Sequence, residues 1–144
     1  AGAGMPLPSE GTAFISVKDE DKLAAVPIAA ALSESGFRLL ATSATQAFLA
    51  KNGVEAELVY KVNEGRPNIA DCIVNDEVQI IINTPLGAES RFDEKAIRAT
   101  ALDHGVPCIT NIAGAIAAVE GIQAMERDEA PVALIREYQA TPVG

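Results

Sequence analysis

The chain has 144 residues, 49% hydrophobic and 22% charged, which is enough for one globular domain with a real core. Its 20 acidic side chains against 11 basic ones give a formal net charge of −9. That balance argues against nucleic acid or an anionic membrane as partner, because both require a basic field. Cys72 and Cys108 are far apart and form no CxxC pair, so they make neither a disulfide framework nor a zinc site. Both read as buried free thiols in a reducing compartment. No apolar run approaches membrane-spanning length, and the N-terminus does not read as a signal peptide. Residues 1–10 (AGAGMPLPSE) are small and rich in Pro and Gly, the composition of a linker or cloning remnant.

Residues 12–17 (TAFISV) have the length and β-branched content of a buried strand. The acids of 18–22 (KDEDK) then suit a helix N-terminus, and that helix carries Leu23, Val26, Ala30 and Leu32 to a stop at Gly36. Pro27 falls inside it, at the cost of one hydrogen bond. Residues 37–41 form a second strand. Thr42 or Ser43 can cap the next helix, which ends at Asn52-Gly53. A third strand spans 55–59, and a short helix spans 67–75. The most β-like run is 78–82, broken at 83–87 by Asn-Thr-Pro-Leu-Gly. Asp93 can cap a fourth helix that ends at His104-Gly105, 106–109 is a fifth strand, and Thr110-Asn111 opens a final helix through Ile122. A short apolar element at 132–135 lies in a mixed tail.

Strands and helices therefore alternate five times. Short, continuously apolar strands between helices predict a Rossmann-like three-layer α/β domain, with five mainly parallel strands and helices on both faces. Ligands of such sheets bind beyond the carboxyl ends of the strands. That rule gathers 17–22, 42–45, 61–66, 83–87 and 110–111 along one edge. Thr42, Ser43 and Thr45 open a helix at a strand end, where amides and hydroxyls can hold a phosphate. Their plainer reading is two caps and a surface residue. Lys22 sits in a helix first turn, a poor place for a cation unless an anion is near; its plainer reading is a surface partner for Glu20 or Asp19. Lys61 ends the third strand, with Arg66 behind it between Gly65 and Pro67. Asn83 and Thr84 end the fourth. Together these favour a shared anion site. Neither GxGxxG nor GxxxxGK[ST] occurs. The single His104 lies at the other end of the sheet, and Asp71 and Asp93 form no acid/base pair, so no catalytic constellation is present.

Residues 11–17 with Asp21-Lys22, then Gly36-Phe37, 41–45 (ATSAT), 62–69 (VNEGRPNI) and 81–87 (IINTPLG) closely resemble the C-terminal allosteric domain of the carbamoyl-phosphate synthase large subunit. The most specific part is K-V-x-E-G-R-P-x-I followed by I-I-N-T. The resemblance implies a methylglyoxal-synthase-like allosteric domain over 11–138 with a C-terminal tail at 139–144. It also implies a longer cytoplasmic chain with two ATP-grasp halves and a glutaminase small subunit as partner. That enzyme makes carbamoyl phosphate from glutamine, bicarbonate and two ATP for arginine and pyrimidine synthesis. ATP and Mg or Mn belong to the ATP-grasp halves, so no cofactor or metal is expected in this segment. UMP as inhibitor and IMP as activator share one site in relatives. By position, Lys22, Thr42 and Thr45, with backbone at Ser43 and Ala44, would hold the nucleotide phosphate; Lys61 and Asn83 would contact the ribose or base side, and Thr84 belongs to the same effector-nucleotide site. Pro85 stands where some relatives have a hydroxyl. Thr110 would contact ornithine or the rest of the chain, and Cys108 stands where ornithine-responsive relatives have a Tyr. The rival of the same fold, a methylglyoxal synthase-type lyase acting on dihydroxyacetone phosphate, has a catalytic Asp after a Gly-Gly pair where this chain has Gly65-Arg66.

Overall fold

The computed structural model describes residues 7–62, 64–84 and 91–127. Five strands form one sheet: β1 Thr12–Ser16, β2 Arg38–Ala41, β3 Glu57–Leu58, β4 Ile80–Asn83 and β5 Cys108–Ile109. Every pairing is parallel and the order is β3-β2-β1-β4-β5. The helices are α1 Lys22–Glu34, α2 Ser43–Lys51, α3 Ile69–Val74, α4 Arg91–Asp103 and α5 Ile112–Arg127, with a single 3-10 turn, Asp19–Asp21, ahead of α1.

Successive residues of a strand face opposite sides, and β1 supplies both sides of the sheet. Ala13, Ile15 and Val17 pack with Ala25, Ile28, Leu32, Leu49, Val119 and Ile122, so α1, α2 and α5 cover one face. Phe14 packs with Ile69, Ile73, Ile97 and Ala101, so α3 and α4 cover the other. Burial on both faces explains why the strands read as unbroken apolar runs rather than alternating ones.

The chain moves outward from β1 to β2 and β3, then returns to place β4 on the other side of β1. The order in which the chain winds across the sheet reverses between β1 and β4, the place where open parallel sheets leave a crevice at their carboxyl ends. Ser16 and Asn83 are register partners at that point.

Local details follow from chemistry. Gly36 and Gly105 take positive φ values of 97° and 68° just past α1 and α4, a conformation that a Cβ would oppose. Pro27 is exposed and does not break α1. The residue four before it, Leu23, is 71% exposed, so water can reach the carbonyl that loses its amide partner.

The structure differs from the sequence expectation in several places. The third strand is only two residues long, because it lies at the sheet edge and β2 alone pairs with it there. The short helix begins at Ile69 rather than Pro67, after an Asn68 cap. The fourth helix begins at Arg91, so Asp93 lies within it and is not its cap. Cys72 and Cys108 are free but only partly buried, since each sits at the margin of a cluster. The break at 85–87 and the element at 132–135 lie outside the described residues.

Candidate functional site

A strand that ends beneath helices leaves buried amides with no ladder partner. At the end of β1 the partners are hydroxyls from the segments that follow the two adjacent strands, Thr45 in the first turn of α2 and Thr84 just after β4. The Val17 amide donates to Thr45 Oγ1 at 3.2 Å, and the Lys18 amide donates to Thr84 Oγ1 at 2.9 Å. Ser16 and Thr42 share a hydroxyl–hydroxyl bond of 3.0 Å, and the Thr84 amide donates to the Ser16 carbonyl at 3.0 Å. Ser16, Thr42, Thr45, Asn83 and Thr84 are all buried. Three strand ends are thereby tied together through side chains. This corrects the plainer reading of Thr45 as a surface residue.

Thr42 occupies the N-cap position of α2, with extended backbone at φ −74° and ψ 164°, yet its hydroxyl does not cap the helix. It turns to Ser16 instead. Among the described residues, Thr42 makes no side-chain hydrogen bond to the first turn of α2, and Ser43 and Ala44 are exposed there. This end of α2 therefore presents the positive end of the helix dipole at the surface.

Lys22 is the first residue of α1, and its side chain is only 11% exposed. Its Nζ donates to the Val17 carbonyl at 3.0 Å and to Asp19 Oδ1 at 2.8 Å. Val17 thus receives Lys22 at its carbonyl and gives its amide to Thr45, which sets an ammonium and a threonine hydroxyl around one residue. The sequence left Glu20 and Asp19 as equal candidates for pairing with Lys22; Asp19 is the one in contact. The Lys22 hydrogen bond and charge hold the Asp19 carboxyl below its usual range.

Lys61 follows the extended segment that continues β3. Its backbone amide donates to Glu64 Oε1 at 2.8 Å, and the Glu64 amide donates back to the Lys61 carbonyl at 3.1 Å. Its side chain is partly exposed, and among the described residues it has no hydrogen-bond or ion-pair partner. The loop behind it is closed by Asn68. That side chain donates to the Gly65 carbonyl at 3.0 Å and accepts from the Ala70 and Asp71 amides at 2.9 and 3.2 Å. Asp71 Oδ2 accepts from the Asn68 amide at 2.8 Å, completing a capping box. The other Asp71 oxygen is paired with Arg66 at 2.8 Å. At Gly65 an added Cβ would lie 3.2 Å from the Tyr60 ring, so the loop packs close against that side chain.

Lys22, Thr42, Thr45 and Thr84 are therefore joined directly or through the end of β1. Asn83 meets the same cluster as register partner of Ser16. Ser43 is on the open surface beside it. Lys61 lies toward the β3 side and Thr110, partly buried after β5, toward the opposite sheet edge; neither bonds to the central cluster. His104 is exposed at the end of α4, with Nδ1 3.1 Å from the Thr100 carbonyl. Among the described residues no group of three or more His, Cys, Asp or Glu could hold a metal, and no helix is long and apolar enough to cross a membrane. Ser16 and Asn68 were not singled out from sequence. The signals were present: Ser16 is the last hydroxyl of an apolar strand, and Asn68-x-x-Asp71 has capping-box spacing.

A parallel three-layer α/β domain with a polar cluster at the carboxyl edge is the class that fold and site define. Residues 24–110 match the model of the MGS-like domain family, and the chain belongs to that family. It is 53% identical over 125 residues to the carbamoyl phosphate synthase large chain of Acidobacterium capsulatum, covering 87% of this chain and 11% of that protein. It is also 53% identical over 122 residues to the carbamoyl phosphate synthase large chain, C-terminal section, of Methanopyrus kandleri, covering 84% of this chain and 22% of that protein. The chain thus spans 11% and 22% of the length of these curated relatives. Among solved structures, a methylglyoxal synthase from Elizabethkingia anophelis NUHP1 superposes with a TM-score of 0.62 over 78% of this chain and 79% of that one. Identity there is 20%, so this likeness bears on the fold.

Proposed function

We propose that this domain is the nucleotide-sensing regulatory part of a glutamine-dependent carbamoyl-phosphate synthase large subunit. The observation that carries the reading is that the largely buried Lys22 side chain and the buried hydroxyls of Thr42 and Thr45 all converge on the end of β1, with the exposed first turn of α2 next to them. Donors of this kind suit a phosphate. In the proposal, Lys22, Thr42, Thr45 and the amides at Ser43 and Ala44 hold the phosphate of UMP or IMP. Lys61, Asn83 and Thr84 face ribose and base. Thr110 serves ornithine or the contact with the remaining chain. The glutaminase small subunit, the ATP-grasp halves and the arginine and pyrimidine pathways belong to the same proposal, supported by the large-chain relatives.

A nucleotide can regulate only by binding the active and inactive forms with unequal affinity. The Lys61–Asn68 loop is suited to that task, because ligand contact at Lys61 would reach a segment held together by Asn68. Calorimetry with UMP and with IMP in phosphate-free buffer tests the reading. Binding of at least one is expected; binding of neither would overturn it.

A lyase acting on dihydroxyacetone phosphate is the second reading, favoured by the methylglyoxal synthase neighbour. Arg66 weighs against it. The loop presents a guanidinium where that chemistry needs a carboxylate base, and both oxygens of nearby Asp71 are already engaged. Methylglyoxal released from dihydroxyacetone phosphate would establish the lyase.

A further inference from the structure

The anion site proposed above already holds an anion of its own. Asp19 Oδ1 lies 2.8 Å from Lys22 Nζ, and among the described residues no other group bonds to that carboxylate. The two partners are held very differently. Lys22 is 11% exposed and anchored to the Val17 carbonyl, whereas Asp19 is 93% exposed. Lys22 therefore keeps its place without Asp19, while Asp19 makes no other bond that fixes it. Of the three consecutive acids in the 3-10 turn, Asp19, Glu20 and Asp21, only Asp19 reaches the ammonium.

We propose that Asp19 is a tethered competitor that a ligand phosphate must displace from Lys22, so that it sets the affinity threshold of the site. The inference rests on the anion-site reading. An ammonium has three donors. One is spent on Val17, and one is spent on Asp19. A phosphate arriving at Lys22 either takes the donor that Asp19 holds or sits beside it on the third. In the first case it must replace an existing ion pair. In the second it suffers like-charge repulsion at short range. Both routes lower affinity. Inorganic phosphate would meet this cost with few contacts. A nucleotide could offset it with contacts to Lys61 and Asn83.

The test compares the chain with Asp19→Asn and Glu20→Gln. Each variant removes one negative charge from the same turn, but only the first touches Lys22. Inorganic phosphate and UMP are titrated by calorimetry in phosphate-free buffer. Asp19→Asn is expected to bind both roughly two- to fivefold more tightly, the scale of an exposed ion pair, while Glu20→Gln stays within about 1.5-fold. Unchanged or weaker binding by Asp19→Asn would sink the competitor and leave the nucleotide site standing. Equal tightening by both variants would reduce the effect to net charge and also overturn it. Failure of all three chains to bind either ligand would remove the anion site itself, and this inference with it.

Discussion

The two lysines of the candidate site are held in opposite ways. Lys22 is built into the sheet: its stem is buried, and its ammonium is fixed by a strand-end carbonyl and a carboxylate. Lys61 rides on a loop whose backbone is pinned through Glu64 and Asn68, while its own side chain is partly exposed and has no bonding partner among the described residues. A rigid cation suits the group that every phosphate ligand shares. A cation on a loop suits the parts that differ between ligands and the transmission of binding to the rest of a larger protein. The site therefore divides into a preorganised half on β1, β2 and β4 and an adjustable half on the loop after β3.

The largest expected effect tests the rigid half. Lys22→Ala should weaken UMP and IMP alike, by roughly ten- to a hundredfold, the range for a hydrogen bond to a charged group. Calorimetry with both nucleotides checks it. A loss confined to one nucleotide would mean that Lys22 does not serve the common phosphate, and the division would fail.

Thr45→Val comes next. The isosteric change leaves the buried Val17 amide without its acceptor. Stability should fall by about 1–3 kcal/mol, the cost of an unsatisfied buried donor, as measured by urea unfolding. A neutral outcome would show that water replaces the hydroxyl and that the strand ends are less tightly knit than the geometry indicates.

The same contrast explains what could be read from the residues alone. The buried strands β1, β2 and β4 announced themselves as short apolar runs, and the rule for parallel sheets placed Thr42, Thr45, Lys61, Asn83 and Thr110 at one edge. The hydrogen bonds could not be read, because they depend on strand order. Only when β2 and β4 flank β1 do Thr42, Thr45 and Thr84 meet the end of β1. Thr42 looked like a helix cap because capping is a local rule, and a tertiary partner, Ser16, overrode it. Asn68 was missed for a different reason. Gly65 and Pro67 are the conspicuous loop-forming residues there, and the Asn-x-x-Asp spacing that closes the loop is indistinguishable from the start of a helix without the tertiary contact to the Gly65 carbonyl.

Asn68→Ala probes that closure. It removes the α3 cap and the bond to the Gly65 carbonyl together. A destabilisation of about 1–2 kcal/mol is expected by urea unfolding, with weaker nucleotide binding and little change for inorganic phosphate. Equal loss of phosphate and nucleotide would join the two halves into one cooperative unit.

Lys61→Ala should have the smallest effect and the most selective one. The side chain is partly exposed and has no partner among the described residues, so stability should stay within about 0.5 kcal/mol of the parent. If inorganic phosphate is held by Lys22 and the hydroxyls at the β1 and β2 ends, as proposed, it should bind within about twofold. A nucleotide should lose roughly three- to tenfold, since a contact to a partly exposed charge contributes less than a buried one. The informative quantity is the ratio between the two ligands. If Lys61 reaches only ribose or base, phosphate binding is preserved while nucleotide binding falls. If it folds back onto the phosphate, both fall together and by the same factor. That second outcome would merge Lys61 with Lys22 into one phosphate clamp, and discrimination between nucleotides would then rest on Asn83 and Thr84 at the end of β4.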